Sequence, residues 1–286
     1  MRLLKYIWKN TVLKCLNSKM AVFVILMLVT SHSYLTPLRQ FSMAVNYPVS
    51  WCVFPFAMCS FTYLIMFWFG VIYVNSDVPF MQHVNMYHAI RVGRRYWGLG
   101  QIGGIFLRSL IMVLITIFST ILPLLPKIEW SNEWGKLLRT AATTNALSQY
   151  QSNVVIYSDI FSEYTPLELM VLEILVCTLI CTFVGVLMFF FSLYMNKIIA
   201  VAVGLALAIA LFPVLNMHPL IRYKLAKFIP TVWAELARIA TVDHTYYWLP
   251  SLIYMVLFLL VGIAIMTGFI MYKIRHVEFN WDNEDM

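Results

Sequence analysis

Acids, thiols, imidazoles and glycine-rich turns are the groups that could do chemistry in this chain. Glu129 with Glu133 and Glu163 with Glu168 are spaced closely enough to suggest acid/base couples. Both pairs lie in one polar connection, where unpartnered surface acids account for them. Glu173 differs, because it falls one to two turns inside a long apolar run. An ionisable residue at mid-bilayer costs roughly 2.5–3.5 kcal/mol, and it usually faces a cavity or a partner. Glu173 is therefore the candidate for lining a translocation path. Arg108 has the same status near the other side, where its stem lets the guanidinium snorkel to the headgroups.

Cys177 and Cys181 are four apart on one helix face, but no His or carboxylate completes a ligand set, so they read as small packing residues. The histidines (His32, His83, His88, His218, His244 and His276) are scattered and read as interface residues. Gly98-Leu-Gly100-Gln-Ile-Gly103 matches the letters of a dinucleotide fingerprint, yet an arginine-rich stretch precedes it and an apolar run follows. The fingerprint needs a strand before it and a helix N-terminus at the pyrophosphate. Small residues that let helices approach closely are the better account. The sequence has no GxxxxGK[ST], no HExxH and no GxSxG. No catalytic set, metal site or bound cofactor is expected in this chain, and it does not read as an enzyme.

The elements that must position these residues are set by composition. Hydrophobic residues make up 62% of the 286 and charged residues 12%, with a mean hydropathy of +0.80. Ordinary globular domains carry roughly 25% charged residues, so the apolar surface here has to enter lipid. The expected fold is an all-α polytopic membrane protein, one domain over 1–286. Its six spans are placed at 20–36, 51–74, 99–125, 167–194, 198–216 and 249–272, each near the roughly 20 apolar residues that a crossing needs. The first is the weakest, because Thr30, Ser31, His32 and Ser33 dilute it. It could be the core of a signal peptide, but the leader 1–19 is long and polar and no small-x-small site follows, so it is counted as a span.

The net charge of +7 comes from bases at the ends of apolar runs, which favours helix anchoring over nucleic-acid binding. Placing Lys5, Lys9, Lys14, Lys19, Arg91, Arg94, Arg95, Lys197, Lys273 and Arg275 on the cytoplasmic side puts both termini there, provided that the first span crosses. The leader reads as an amphipathic helix lying on that interface, with Leu4, Ile7, Trp8 and Leu16 dipping in. On the outer side, 127–166 is a polar connection. The stretch 217–248 reads as two short interfacial helices started by Pro219 and Pro230, with Val232, Leu236 and Ile239 on one face and Glu235 spaced to pair with Arg238.

The most informative connection runs from Ser76 to Trp97. Ser76 or Asp77 can cap a helix whose first turn holds Pro79; Val84, Tyr87, His88 and Arg91 then share one side, and Gly93 ends the run before Arg94 and Arg95. Such a helix either lies at the interface or is presented to a cytoplasmic partner.

Three short motifs carry a family resemblance: Arg91-Val-Gly-Arg-Arg-Tyr-Trp-Gly-Leu-Gly-Gln, Asn132-Glu-Trp-Gly-Lys and Tyr164-Thr-Pro-Leu-Glu. With the topology, they make the chain resemble permease subunits of ABC-2-type ATP-binding-cassette exporters, in particular bacterial ones that move peptides, antibiotics or lipid-linked products. The long connection 127–166 is a departure, being short in many relatives. The resemblance implies that Tyr87, His88, Arg91, Arg94 and Arg95 belong to a coupling helix seated on a separate cytoplasmic ATPase, which would use ATP and Mg. It also implies a second permease copy or a homologous permease, surrounding membrane lipids, and a multi-pass location in the cell membrane. The alternative reading is a non-transporting polytopic membrane protein, either a lipid-acting enzyme or an immunity or sensory protein.

Overall fold

The computed structural model describes residues 7–8, 11, 17–76, 93–150, 152–243 and 246–276. Tyr87, His88 and Arg91, most of the leader and the segment 77–92 lie outside the described residues. The chain is a bundle of apolar helices with a capped, irregular layer at one end. Five helices are long and apolar enough to cross a membrane: α1 (Ser18–Val45), α4 (Arg94–Ile121, extended by a 3-10 turn to Leu124), α7 (Pro166–Tyr194), α8 with α9 (Lys197–Ile209 and Leu211–Asn216) and α11 (Leu252–His276).

The run expected as one span over 51–74 is divided. Residues 49–50 form strand β1 (Val49–Ser50), paired in parallel with β2 (Ile128–Glu129), and the helix that follows is broken at Cys59 and Ser60 into α2 (Phe54–Met58) and α3 (Phe61–Asn75). Ser60 has extended backbone and starts α3 as its N-cap residue. The resulting 15-residue helix is shorter than the other crossing candidates.

The first span is longer than expected, and its diluting hydroxyls have partners. The Ser31 hydroxyl is buried against the Tyr63 hydroxyl at 2.9 Å and the Ser119 hydroxyl at 2.8 Å, which ties α1 to α3 and α4. The Thr30 hydroxyl donates to the Leu26 carbonyl at 2.7 Å. Polar groups in an apolar bundle are tolerated when another helix or their own backbone satisfies them. Asn46, in the left-handed region at φ 58°, ends α1.

Helix α7 is the most enclosed crossing and packs against α4, α8 and α11. Its start is specified locally by Thr165, Pro166 and Glu168. The Glu168 N–H donates to the Thr165 hydroxyl, and the Thr165 N–H donates to Glu168 Oε2 at 2.9 Å, a reciprocal capping box with proline in the first turn. From the same connection, Asn132 Oδ1 accepts the Leu167 N–H at 3.1 Å and Trp134 Nε1 donates to the Tyr164 carbonyl at 2.9 Å. Two of the motifs behind the resemblance are thus one device that clamps the start of α7. The rest of that connection holds α5 (Gly135–Thr143) and α6 (Ile160–Glu163).

Gly98, Gly100 and Gly103 lie inside α4, so the glycines do not form a strand-to-helix turn. A Cβ at Gly98 would come 2.9 Å from Ile274 of α11, and one at Gly103 would come 2.7 Å from Ile7. Close packing, as expected, is the use of Gly98 and Gly103. The helix expected to end at Gly93 lies outside the described residues. With φ +89° Gly93 is the N-cap of α4, so Arg94 and Arg95 form the first turn of that helix.

After α9, helix α10 (Pro219–Ala226) begins at its proline as expected. The second expected helix is instead two 3-10 turns, Pro230–Ala234 and Leu236–Arg238, and it does not lie on the surface. Its residues from Pro230 to Ala237 are buried against α7, α2 and α11. Trp68 Nε1 donates to the Thr231 carbonyl at 3.2 Å, and the Thr231 hydroxyl donates to the Leu207 carbonyl at 2.9 Å. Irregular backbone inside an apolar bundle is sustained where protein encloses it and supplies such partners. A short hairpin, β3 (Val242–Asp243) and β4 (Tyr246–Tyr247), leads into α11.

Candidate functional site

Glu173, on the second turn of α7, is completely buried. The Cys177 thiol donates to Glu173 Oε1 at 3.2 Å, and Oε2 has no hydrogen-bond partner. The Leu236 N–H, at the start of the second 3-10 turn, acts electrostatically on the same carboxylate, and the Glu235 carboxylate is within Coulombic reach. A candidate path residue therefore sits in the packed interior of the chain, against the 3-10 segment.

Beside it lies a ladder of charged side chains, buried at Glu235 and Arg222 and partly exposed at Arg238 and Asp243. Glu235 is fully buried, and its Oε2 accepts from Arg238 Nη1 at 2.9 Å and from Trp248 Nε1 at 3.0 Å. The pairing follows the expected three-residue spacing, but the pair is buried and not on an interfacial surface. Burial pushes the Glu235 carboxyl up to about 7, while Arg238, Trp248 and Arg222 pull the other way. Arg238 Nη2 donates to the Cys59 carbonyl at 2.8 Å, at the break between α2 and α3. The Trp248 ring lies under the guanidinium of Arg222, 3.5 Å from its centroid, and under that of Arg238 at 4.4 Å. Arg222 closes the ladder on Asp243 at 2.8 Å. Asp243, Arg222, Trp248, Arg238 and Glu235 thus join α10, the hairpin and the 3-10 turns to the α2–α3 break. Cation–π contacts of this kind are worth about 2 kcal/mol or more when desolvated.

The other acids have structural partners or none. Glu129 accepts from the Ser131 hydroxyl at 3.1 Å, and Glu168 belongs to the capping box of α7. Neither forms the acid/base couple that its spacing allowed. Among the described residues, no group of three His, Cys, Asp or Glu is placed to hold a metal ion.

The ends of the helices sort into two groups. Lys19 Nζ donates to the Ser76 hydroxyl, Tyr194 hydroxyl donates to the Phe269 carbonyl, and Gly98 faces Ile274, so these residues share one end. The strand pair, the ionic ladder and the α7 clamp share the other. The first end holds Lys19, Arg94, Arg95, Lys197, Lys273 and Arg275, with Arg108 deeper in. Arg108 does not snorkel; it is buried, and its Nη2 donates to Asn75 Oδ1 at 2.9 Å.

Compared with family models, with curated proteins and with solved structures, the chain has no match. The site's geometry and the sequence motifs are what its function is read from.

Arg94 and Arg95 are the coupling candidates within the described residues, and both are exposed. Positive charge in the first turn opposes the helix dipole and costs a few tenths of a kcal/mol to about 1 kcal/mol per residue. Their charge therefore does not stabilise the start of α4 through its dipole. The ionic ladder, in contrast, was only partly legible in the sequence. Spacing gave Glu235 with Arg238, but nothing local linked Arg222 or Trp248 to them.

Proposed function

We propose that the chain is the membrane permease subunit of an ATP-driven exporter, working with a separate cytoplasmic ATPase. The observation that carries this reading is the cluster of bases at one end of the bundle. Arg94 and Arg95 are exposed on the opening turn of α4, at the end of the bundle that also holds Lys19, Lys197, Lys273 and Arg275. An acidic ATPase cleft or anionic headgroups would match that surface. The resemblance adds that the adjoining segment, with Tyr87, His88 and Arg91, is the coupling helix. ATP and Mg would be held by the ATPase, since this chain has no P-loop.

We count α3 as a sixth crossing. Its start adjoins Cys59, which Arg238 contacts at the far end, and its end adjoins Ser76, which Lys19 contacts at the first end. Six crossings put both termini on one side, and the excess of bases makes that side cytoplasmic. Two permease copies, or two homologues, would then pair around a path through the cell membrane. Glu173 would meet that path when the 3-10 segment separates from α7, so the ladder around Glu235 and Arg238 would latch its far end. ATP drives such a change only by binding one conformation better than the other.

Co-purification with a candidate ATPase tests the reading. Charge reversal at Arg91, Arg94 and Arg95 should abolish the complex. A complex that survives with its ATPase rate unchanged contradicts the assignment and favours the non-transporting alternative.

A further inference from the structure

A cleft of about 470 Å³ opens at the far end, walled by Tyr164, Tyr223, Tyr247 and Tyr254 with Lys227 and the start of α11 at Ser251 and Leu252. Lys227 is half-buried, and its Nζ lies 4.4 Å from the centroid of the Tyr223 ring. None of the described acids pairs with it. The Tyr254 hydroxyl donates to the Lys227 carbonyl at 3.1 Å, which fixes the lysine's backbone to α11.

Tyr254 is shared with a second hollow, an apolar groove of about 520 Å³ that runs down α11 past Leu257, Phe258, Val261 and Ile265. Its opposite wall is Phe183 of α7. Gly262 lets α11 approach that wall closely, because a Cβ there would lie 2.8 Å from the Phe183 ring. From Tyr254 to Met266 the groove descends about 18 Å at about 1.5 Å per residue. One leaflet of the hydrocarbon core is about 15 Å deep. A tyrosine-walled cleft that holds Lys227 thus adjoins an acyl-length trough at Tyr254.

We propose that cleft and groove together bind one phospholipid with an anionic headgroup. Its phosphate would sit at Lys227 and the start of α11, and an acyl chain would lie along the Leu257, Val261 and Ile265 face. Charge selects the head and the trough selects the tail, so the site distinguishes lipids that differ only in head charge. The inference does not depend on an ATPase partner.

The test is native mass spectrometry of the purified full chain, titrated in detergent with phosphatidylglycerol or phosphatidylcholine of the same acyl chains. The wild type should bind phosphatidylglycerol about tenfold more tightly, the equivalent of one charge-assisted contact. Lys227→Gln should erase that preference while Lys227→Arg keeps it, and Val261→Trp, at an exposed groove position, should weaken both lipids. Equal binding of the two lipids by wild type and all variants overturns the proposal and leaves ordinary surrounding lipid. A change of oligomeric mass in Val261→Trp without a change in lipid binding also overturns it, and assigns the groove to a second copy of the chain.

Discussion

Arg238 holds Glu235 at 2.9 Å with one guanidinium nitrogen and, with another, holds the carbonyl of Cys59 at 2.8 Å. One side chain therefore locks the 3-10 segment both to itself and to the break between α2 and α3. Breaking a buried pair by removing one partner typically costs 3–5 kcal/mol, because the remaining charge stays buried. Arg238→Gln should lower the melting temperature in detergent strongly, and the double variant Glu235→Gln/Arg238→Gln should recover part of the loss. A double variant no more stable than Arg238→Gln would show that the two residues are not coupled.

The pH dependence has a definite sign. Burial raises the Glu235 carboxyl to about 7 from 4.5, so the folded chain holds a proton in that interval which the unfolded chain has released. The stabilisation this group provides is complete below about pH 4.5 and is lost as pH rises toward 7. Thermal unfolding of the wild type should therefore occur at lower temperature at pH 7.5 than at pH 5.5. Glu235→Gln should flatten that difference; a slope unchanged by the substitution would assign it to other groups.

Thr165 starts α7 by accepting the Glu168 N–H, and the side chain of Glu168 returns the bond. Thr165→Ala should cost about 1 kcal/mol, the usual value of an N-cap. Thr165→Ser, which restores the hydroxyl, should recover most of it. An alanine variant with wild-type stability would mean that Asn132 and Trp134 alone hold the start of the helix.

Glu173 has one oxygen on Cys177 and the other without a hydrogen-bond partner. If it meets the path, Glu173→Gln should alter export while leaving the melting temperature at or above that of the wild type. The neutral amide fits the same volume without a buried charge. Normal export by a stable Glu173→Gln variant would remove Glu173 from the path.

Hydropathy made the crossings legible, because a helix has to be apolar over its whole length to sit in lipid. It located α7 to within a residue. It underestimated α1, because Thr30 and Ser31 look polar until Leu26, Tyr63 and Ser119 are known to satisfy them. It missed the break at Cys59 and Ser60, which lie within a continuous apolar run whose packing partners come from later in the chain. The segment after Pro230 had a helical spacing of apolar residues but adopts 3-10 turns, since burial on every side removes the advantage of an amphipathic face. For the candidate site, Glu173 and the Glu235–Arg238 spacing were readable. The contacts of the Trp248 ring with Arg222 and Arg238 depend on residues brought together only by the fold.

The central claim is that the basic end of the bundle couples to an ATPase through the region containing Arg94 and Arg95. The most direct measurement is the ATPase rate of the reconstituted complex formed with Arg94→Glu/Arg95→Glu, beside its co-purification yield. The account predicts that the yield collapses and the rate falls to that of the ATPase alone, while the variant's own melting temperature stays near that of the wild type. Wild-type yield and wild-type rate from a correctly folded variant would contradict it.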